Sequence, residues 1–254
     1  MGTFAMTGGA TGIGAAVRKQ LGDAGHQVIV VDIKDADIIA DLSTPKGRQA
    51  AIDGIRARAP DGLDGFVPCA GVGPSVSPPS LVTKINYFGT TVLVEAMKPL
   101  LAKKKGCMVL ISSNSAPMGC DAEYVEKCLS GDETAATARA DEVGDGQNAY
   151  GGSKLAVTRW MRRNSTAFAK DGVRMNAVAP GITRTPLTDH VMADEKLGAA
   201  IKGFGDTIPT GSMGVPEQLA NVITFMLSPK ADFMCGSVVF VDGGHDAMLR
   251  PDDF

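Results

Sequence analysis

Short apolar runs that alternate with helix-forming stretches are the strongest constraint this chain places on its own fold. Cys107-Met108-Val109-Leu110-Ile111 carries only apolar side chains and stops at Ser112-Ser113, the composition of a strand covered on both faces in a parallel sheet. His26 to Asp32, Leu63 to Gly71, Val173 to Ala179 and Gly236 to Gly244 have the same character, and Thr3 to Met6 opens the series. The intervening segments place apolar residues at helical spacing, as Ile85, Phe88, Val92, Leu93, Ala96 and Leu100 do. Strand and helix alternate about seven times, which predicts a single α/β domain. The expected architecture over residues 1–254 is a doubly wound, mostly parallel sheet of about seven strands, with helices on both faces and right-handed crossovers.

Ligands of such sheets lie beyond the carboxyl ends of the strands, and the first of these ends is rich in glycine. Gly8, Gly9, Ala10, Thr11, Gly12, Ile13 and Gly14 follow the first strand and open a helix. Glycines let backbone approach a ligand, and the N–H groups and dipole of a helix N-terminus favour a pyrophosphate. The spacing is G-x-x-x-G-x-G, and a turn of this kind also serves as a plain strand-to-helix connection. Asp32 ends the second strand, with Ile33 after it, where a carboxylate can bind the adenosine ribose hydroxyls of a dinucleotide. That carboxylate would repel a 2′-phosphate, and no Arg or Lys lies between Thr7 and Gly14, so the expected cofactor is NAD. Lys34 is the one nearby cation acting against that preference. Asp41 and Leu42 are placed to flank an adenine, and the small residues of Cys69-Ala70-Gly71 let backbone pack along the cofactor. These features are those of a Rossmann-type domain.

The stretch Asn148 to Val157 brings in chemistry. On a helix, Tyr150 and Lys154 lie one turn apart on one face. An ammonium beside a phenol favours phenolate and lowers its pKa from about 10, which makes Tyr150 a candidate acid/base. A bare Y-x-x-x-K is, however, far more often just a solvated helix face. Ser113 stands at the carboxyl edge of the Cys107 strand, and Asn86 lies inside a helix, where an amide is not preferred. Taken singly, a strand-end hydroxyl and a structural amide explain them equally well. The polar, Ala-rich segment at about 119–147 reads as an insertion with helical stretches around Ala122 to Leu129 and Glu133 to Val143. Pro180-Gly181 breaks a strand, and Thr183 to Gly214 carries Leu187, Met192, Leu197, Ile201 and Phe204, either a substrate loop or ordinary packing.

Other function classes find no support. A formal charge of −3 gives no basic footprint for nucleic acid or an anionic membrane surface. No apolar run reaches the roughly 18 residues needed to cross a bilayer. Five cysteines, odd in number and without C-x-x-C spacing, together with three scattered histidines, suggest free thiols and no metal site. The N-terminal segment lacks the basic and long apolar regions of an export signal, so a cytoplasmic location is expected.

In this order, Thr7-Gly8 to Gly12-Ile13-Gly14, Asp32, Ala70-Gly71, Asn86, Ser113, Tyr150 with Lys154, and Pro180-Gly181 with Thr185 resemble the pattern of the short-chain dehydrogenases/reductases over essentially the whole chain. The resemblance implies that Tyr150 exchanges the alcohol proton while Lys154 lowers its pKa and holds the nicotinamide ribose. It implies that Ser113 hydrogen-bonds the substrate oxygen and that Asn86 holds a water linking Lys154 to solvent. Thr183, through its backbone, and Thr185 would fix the carboxamide. Gly25-His26-Gln27, Asn86-Tyr87-Phe88-Gly89, the long insertion and the tail from Asp242-Gly243-Gly244 to Leu249-Arg250-Pro251 are similar to the bacterial hydroxysteroid-oxidising members. That likeness implies a small apolar alcohol/ketone pair as substrate, a 3α-hydroxysteroid and 3-oxosteroid first, and the family at large implies a homodimer or homotetramer. Two departures are Cys69, where the family has Asn, and the length of the insertion, which bears on the family's usual subunit interface.

Overall fold

The structure is a computed structural model and describes residues 1–195 and 197–253. Its strands are β1 (Thr3–Thr7), β2 (Gln27–Asp32), β3 (Ile38–Ile39), β4 (Gly65–Pro68), β5 (Cys107–Ile111), β6 (Arg174–Pro180) and β7 (Val238–Val241). They form one seven-stranded sheet in the order β3-β2-β1-β4-β5-β6-β7. Every pairing is parallel. The order reverses between β1 and β4, which opens a crevice at their carboxyl ends.

Alternation along the strands feeds two cores. Met108 and Leu110 of β5 join one, whereas Cys107, Val109 and Ile111 face the other. Of the helices, α1 (Gly12–Asp23), α2 (Pro45–Arg58), α3 (Pro79–Val82) and α4 (Gly89–Lys104) come before β5, with a π-helical turn, Thr83–Phe88, joining α3 to α4. Then follow α5 (Ala122–Leu129), α6 (Glu133–Val143), α7 (Gly146–Lys170), α8 (Pro186–Met192), α9 (Gly198–Asp206), α10 (Pro216–Leu227) and α11 (His245–Leu249). Val17 and Leu21 of α1 pack with Leu219 and Ile223 of α10 on one sheet face. On the other, α2, α4 and α7 contribute Ile55, Met97 and Met161.

The helix starts are written locally. Thr44 accepts a hydrogen bond from Gly47 N–H ahead of α2, and Asp121, Asp132 and Asp145 accept from Tyr124, Ala135 and Gln147 N–H at the heads of α5, α6 and α7. Thus the segment at 119–147 holds the two helices expected from sequence. It is fastened inward. The Tyr124 side chain is fully buried; its hydroxyl lies 2.8 Å from the Thr83 hydroxyl and donates to the Ala149 carbonyl at 3.3 Å. A Cβ on Gly152 would lie 2.7 Å from the Tyr124 ring, so the residue beneath that ring has to be glycine. On the far side, buried Arg48 of α2 donates twice to Glu133, at 2.9 and 2.7 Å.

Two expectations need revision. The helix carrying Asn86 begins at Pro79 and changes to π geometry around that residue, a local irregularity that recurs at functional sites. The 183–214 segment is not a loop: it holds α8 and α9, and Thr183 pairs with Gly214 at its base. Residue 196 lies outside the described residues.

Candidate active site

The carboxyl ends of β1, β2, β4, β5 and β6 line one cleft of about 790 Å³. At its glycine-rich end, Gly8 (φ +71°) and Gly12 (φ +57°) adopt left-handed backbone that favours glycine. A Cβ on Gly8 would stand 2.6 Å from the Ala70 backbone, and one on Gly14 would overlap the Gly8 carbonyl. The Thr11 side chain does not cap α1, so it leaves the helix N-terminus open to an anion. Asp32 is held at the rim: its carboxylate accepts from Ala10 N–H at 3.0 Å and Ile33 N–H at 2.7 Å. A bare backbone cradle beside a fixed carboxylate suits the pyrophosphate and ribose of a dinucleotide. Beyond it, Leu42 is buried, while exposed Asp41 uses its carboxylate to accept from Ser43 N–H at 2.9 Å.

The turn after β4 is held without an amide at residue 69. Thr7 accepts from Cys69 N–H through its carbonyl and from Ala70 N–H through Oγ1, at 3.1 and 3.0 Å. Burial pushes the Cys69 thiol up to about 11, so it is an inert thiol at neutral pH. Next along, Val72 forms a two-way pair with Asn86, donating its N–H to Oδ1 at 2.9 Å and accepting from Nδ2 at 3.0 Å. Asn86 therefore pins this loop from behind. A Cβ on Gly71 would lie 3.3 Å from Asn86 Oδ1 and 3.7 Å from Lys154 Nζ, which places amide and ammonium around one small gap.

On α7, Lys154 is buried and its ammonium donates to the Ile111 carbonyl at 2.9 Å. Burial pulls it down to about 8. Lys154 Nζ lies 5.9 Å from the Tyr150 ring centroid. The Tyr150 phenol is nevertheless raised above its ordinary value, because burial outweighs the opposing hydrogen bond from Ser113. The expectation of a phenol lowered by Lys154 is thus corrected for the protein alone: the ammonium is turned to Ile111, and desolvation dominates. Ser113, buried at the end of β5, accepts from Ser115 N–H at 3.1 Å and from the Ser115 hydroxyl at 2.9 Å.

Across the cleft, Pro180 and Gly181 lead to Thr183, whose hydroxyl donates to the Gly181 carbonyl at 2.9 Å. Thr185 caps α8 by accepting from Thr188 N–H at 3.2 Å, and its methyl lies 3.3 Å from where a Cβ on Gly12 would be. The residues assigned to catalysis or cofactor binding in the sequence all line the cleft except two. Gly9 faces inward, where a Cβ would meet Val30 at 2.6 Å, and Asn86 stands behind the lining. One side of the cleft is apolar, with Leu187, Leu197, Ile201 and Phe204 joined by Met118 and Val191, whereas Met192 of the same segment is not part of the lining. Sequence reading missed Met118, Val191, Asn114 and Ser115, which lie outside any strand or glycine signal.

Residues 3–125 match the family model described as short chain dehydrogenase, and residues 134–246 the one described as enoyl-(acyl carrier protein) reductase. The chain is 41% identical to the 3-alpha-hydroxysteroid dehydrogenase/carbonyl reductase of Comamonas testosteroni over 259 residues, covering 100% of both. It is 28% identical to the cis-4-hydroxycyclohexanecarboxylate dehydrogenase of Sinomonas cyclohexanicum, covering 96% of each. The crystal structure of the 3-alpha-hydroxysteroid dehydrogenase from Pseudomonas sp. B-0831, complexed with NADH, matches with a TM-score of 0.97 at 43% identity, covering 99% of this chain and 100% of that one. With the glycine turn, Ser113 and the Tyr150–Lys154 helix converging on one cleft, this chain belongs to the short-chain dehydrogenase family.

Proposed function

We propose that the protein is an NAD-dependent oxidoreductase that interconverts 3α-hydroxysteroids and 3-oxosteroids, with Tyr150 as the acid/base. The observation that carries this reading is the meeting of the Tyr150 phenol and the Ser113 hydroxyl between a backbone cradle and an apolar half-cleft. The relatives from Comamonas and Pseudomonas, named for 3-alpha-hydroxysteroid dehydrogenation, support the substrate class.

In this reading the open start of α1 and Asp32 hold the dinucleotide, Ala70 and Gly71 pack along it, and Thr183 and Thr185 position its carboxamide end. Bound NAD supplies the hydride acceptor. Ser113 donates a hydrogen bond to the substrate oxygen, and Tyr150 Oη takes the alcohol proton during oxidation or returns it during reduction. Lys154 holds the nicotinamide ribose. The apolar wall from Leu187 to Phe204 receives the hydrocarbon body of the substrate and excludes water.

Mixing the protein with NAD and a 3α-hydroxysteroid such as androsterone is expected to raise the reduced-nicotinamide absorbance, and NADP much less so. Silence with androsterone but growth with another secondary alcohol would retain the chemistry and reject the steroid. Asp32→Ala is expected to lower kcat/KM for NAD by about tenfold while improving NADP, since it removes a charge that repels a 2′-phosphate. An unchanged ratio between the two cofactors would remove Asp32 from cofactor choice.

A further inference from the structure

Ser113 is bound twice by the same residue. The Ser115 N–H and the Ser115 hydroxyl both donate to Ser113 Oγ, at 3.1 and 2.9 Å. A serine hydroxyl has two lone pairs and one proton. Both acceptor positions are therefore filled, and only the proton remains to be offered. The backbone bond alone, a local serine turn, would leave the hydroxyl free to exchange donor and acceptor roles. The second bond removes that freedom. The loop itself cannot drift, because Asn114 between the two serines donates its N–H to the Pro180 carbonyl at 2.9 Å, tying the loop to β6.

We propose that Ser115 is a positioning residue that locks Ser113 as a hydrogen-bond donor, its O–H directed at the substrate oxygen. Negative charge developing on that oxygen then meets a dipole already oriented for it, so no hydroxyl rotation is needed as the reaction proceeds. Half-buried Ser115 lines the same cleft but does its work through Ser113. The inference rests on the proposed reading of Ser113 as the group that holds the substrate oxygen.

The test compares Ser115→Ala and Ser115→Thr in the wild-type protein, and Ser115→Ala also in a Ser113→Ala background, on whichever alcohol/ketone pair turns over. Loss of the orienting hydroxyl is expected to lower kcat about tenfold, less than the loss of a whole donor. Substrate KM and NAD binding by calorimetry should stay within about twofold. The alkaline limb of the kcat/KM profile, which reports the substrate-free enzyme in which the Ser113 O–H faces the Tyr150 phenol, should move to higher pH, because that donor is less well aimed. Ser115→Thr, which keeps a hydroxyl, should recover most of the rate, and Ser115→Ala should add nothing once Ser113 is Ala. Wild-type kcat in Ser115→Ala, or the same fold loss in both backgrounds, would overturn the role given to Ser115. A Ser113→Ala enzyme with full turnover would instead remove the reading of the site, and the role of Ser115 with it.

Discussion

Tyr150→Phe is expected to lower kcat by about 10³-fold while leaving NAD affinity within about twofold, the loss typical of removing a proton-transfer group. Phenylalanine keeps the ring on α7 and deletes only Oη, so the cofactor cradle is untouched while the proton-transferring contact to the substrate oxygen is lost. The pH profile carries the sharper test. Burial raises the phenol above its ordinary value, so less phenolate exists at neutral pH, and wild-type alcohol oxidation should accelerate as the solution becomes alkaline. Ketone reduction, which needs the protonated phenol, should slow over the same limb. The Phe variant should show neither dependence. Full turnover in that variant would assign the proton to another group.

Lys154→Met is expected to move activity and stability in opposite directions. The ammonium is buried and held by one carbonyl, and burial lowers its pKa from 10.5 to about 8. That depression corresponds to roughly 3 kcal/mol against the charged native state. Losing the charged bond to the Ile111 carbonyl costs about 2 kcal/mol, so the Met variant should gain about 1 kcal/mol at pH 7 in urea unfolding without cofactor, while kcat falls by about 10²-fold. The sign of the pH dependence follows. Between about 8 and 10.5 the unfolded lysine binds a proton that the native one has lost, so wild-type stability rises with pH and the advantage of the variant shrinks. Below that window the difference is constant. A less stable Met variant at pH 7 would mean that the carbonyl bond outweighs desolvation.

What the sequence could reveal followed from how local each cause is. The buried strands announce themselves because a run such as Cys107 to Ile111 has no polar alternative, and the two helices before Tyr150 because their Ala-rich stretches favour helix, though that signal does not include the Asp121 and Asp132 caps that start them. The π turn around Asn86 was not legible, since propensity does not distinguish π from α geometry over six residues. Gly9 looked like part of the cradle because spacing cannot tell a glycine facing a ligand from one packed on Val30. The ionisation of Tyr150 depends on how much protein surrounds it, which only the fold determines. Ser115 is invisible for a similar reason: a serine two positions after another carries no signal until the loop curls its hydroxyl back.

The two-helix segment ahead of Tyr150 bears on how enzymes of this design can be recombined. Tyr124 reaches Thr83 in the π turn that carries Asn86 and, through the Ala149 carbonyl, the residue preceding Tyr150, while Glu133 neutralises the buried Arg48 of α2. Trimming the segment to a short connector would strand a guanidinium, free two polar groups in the interior and open a tyrosine-sized void over Gly152. A chimera that borrows this α7 therefore has to import Tyr124, Gly152 and the Arg48–Glu133 pair together as one heritable block.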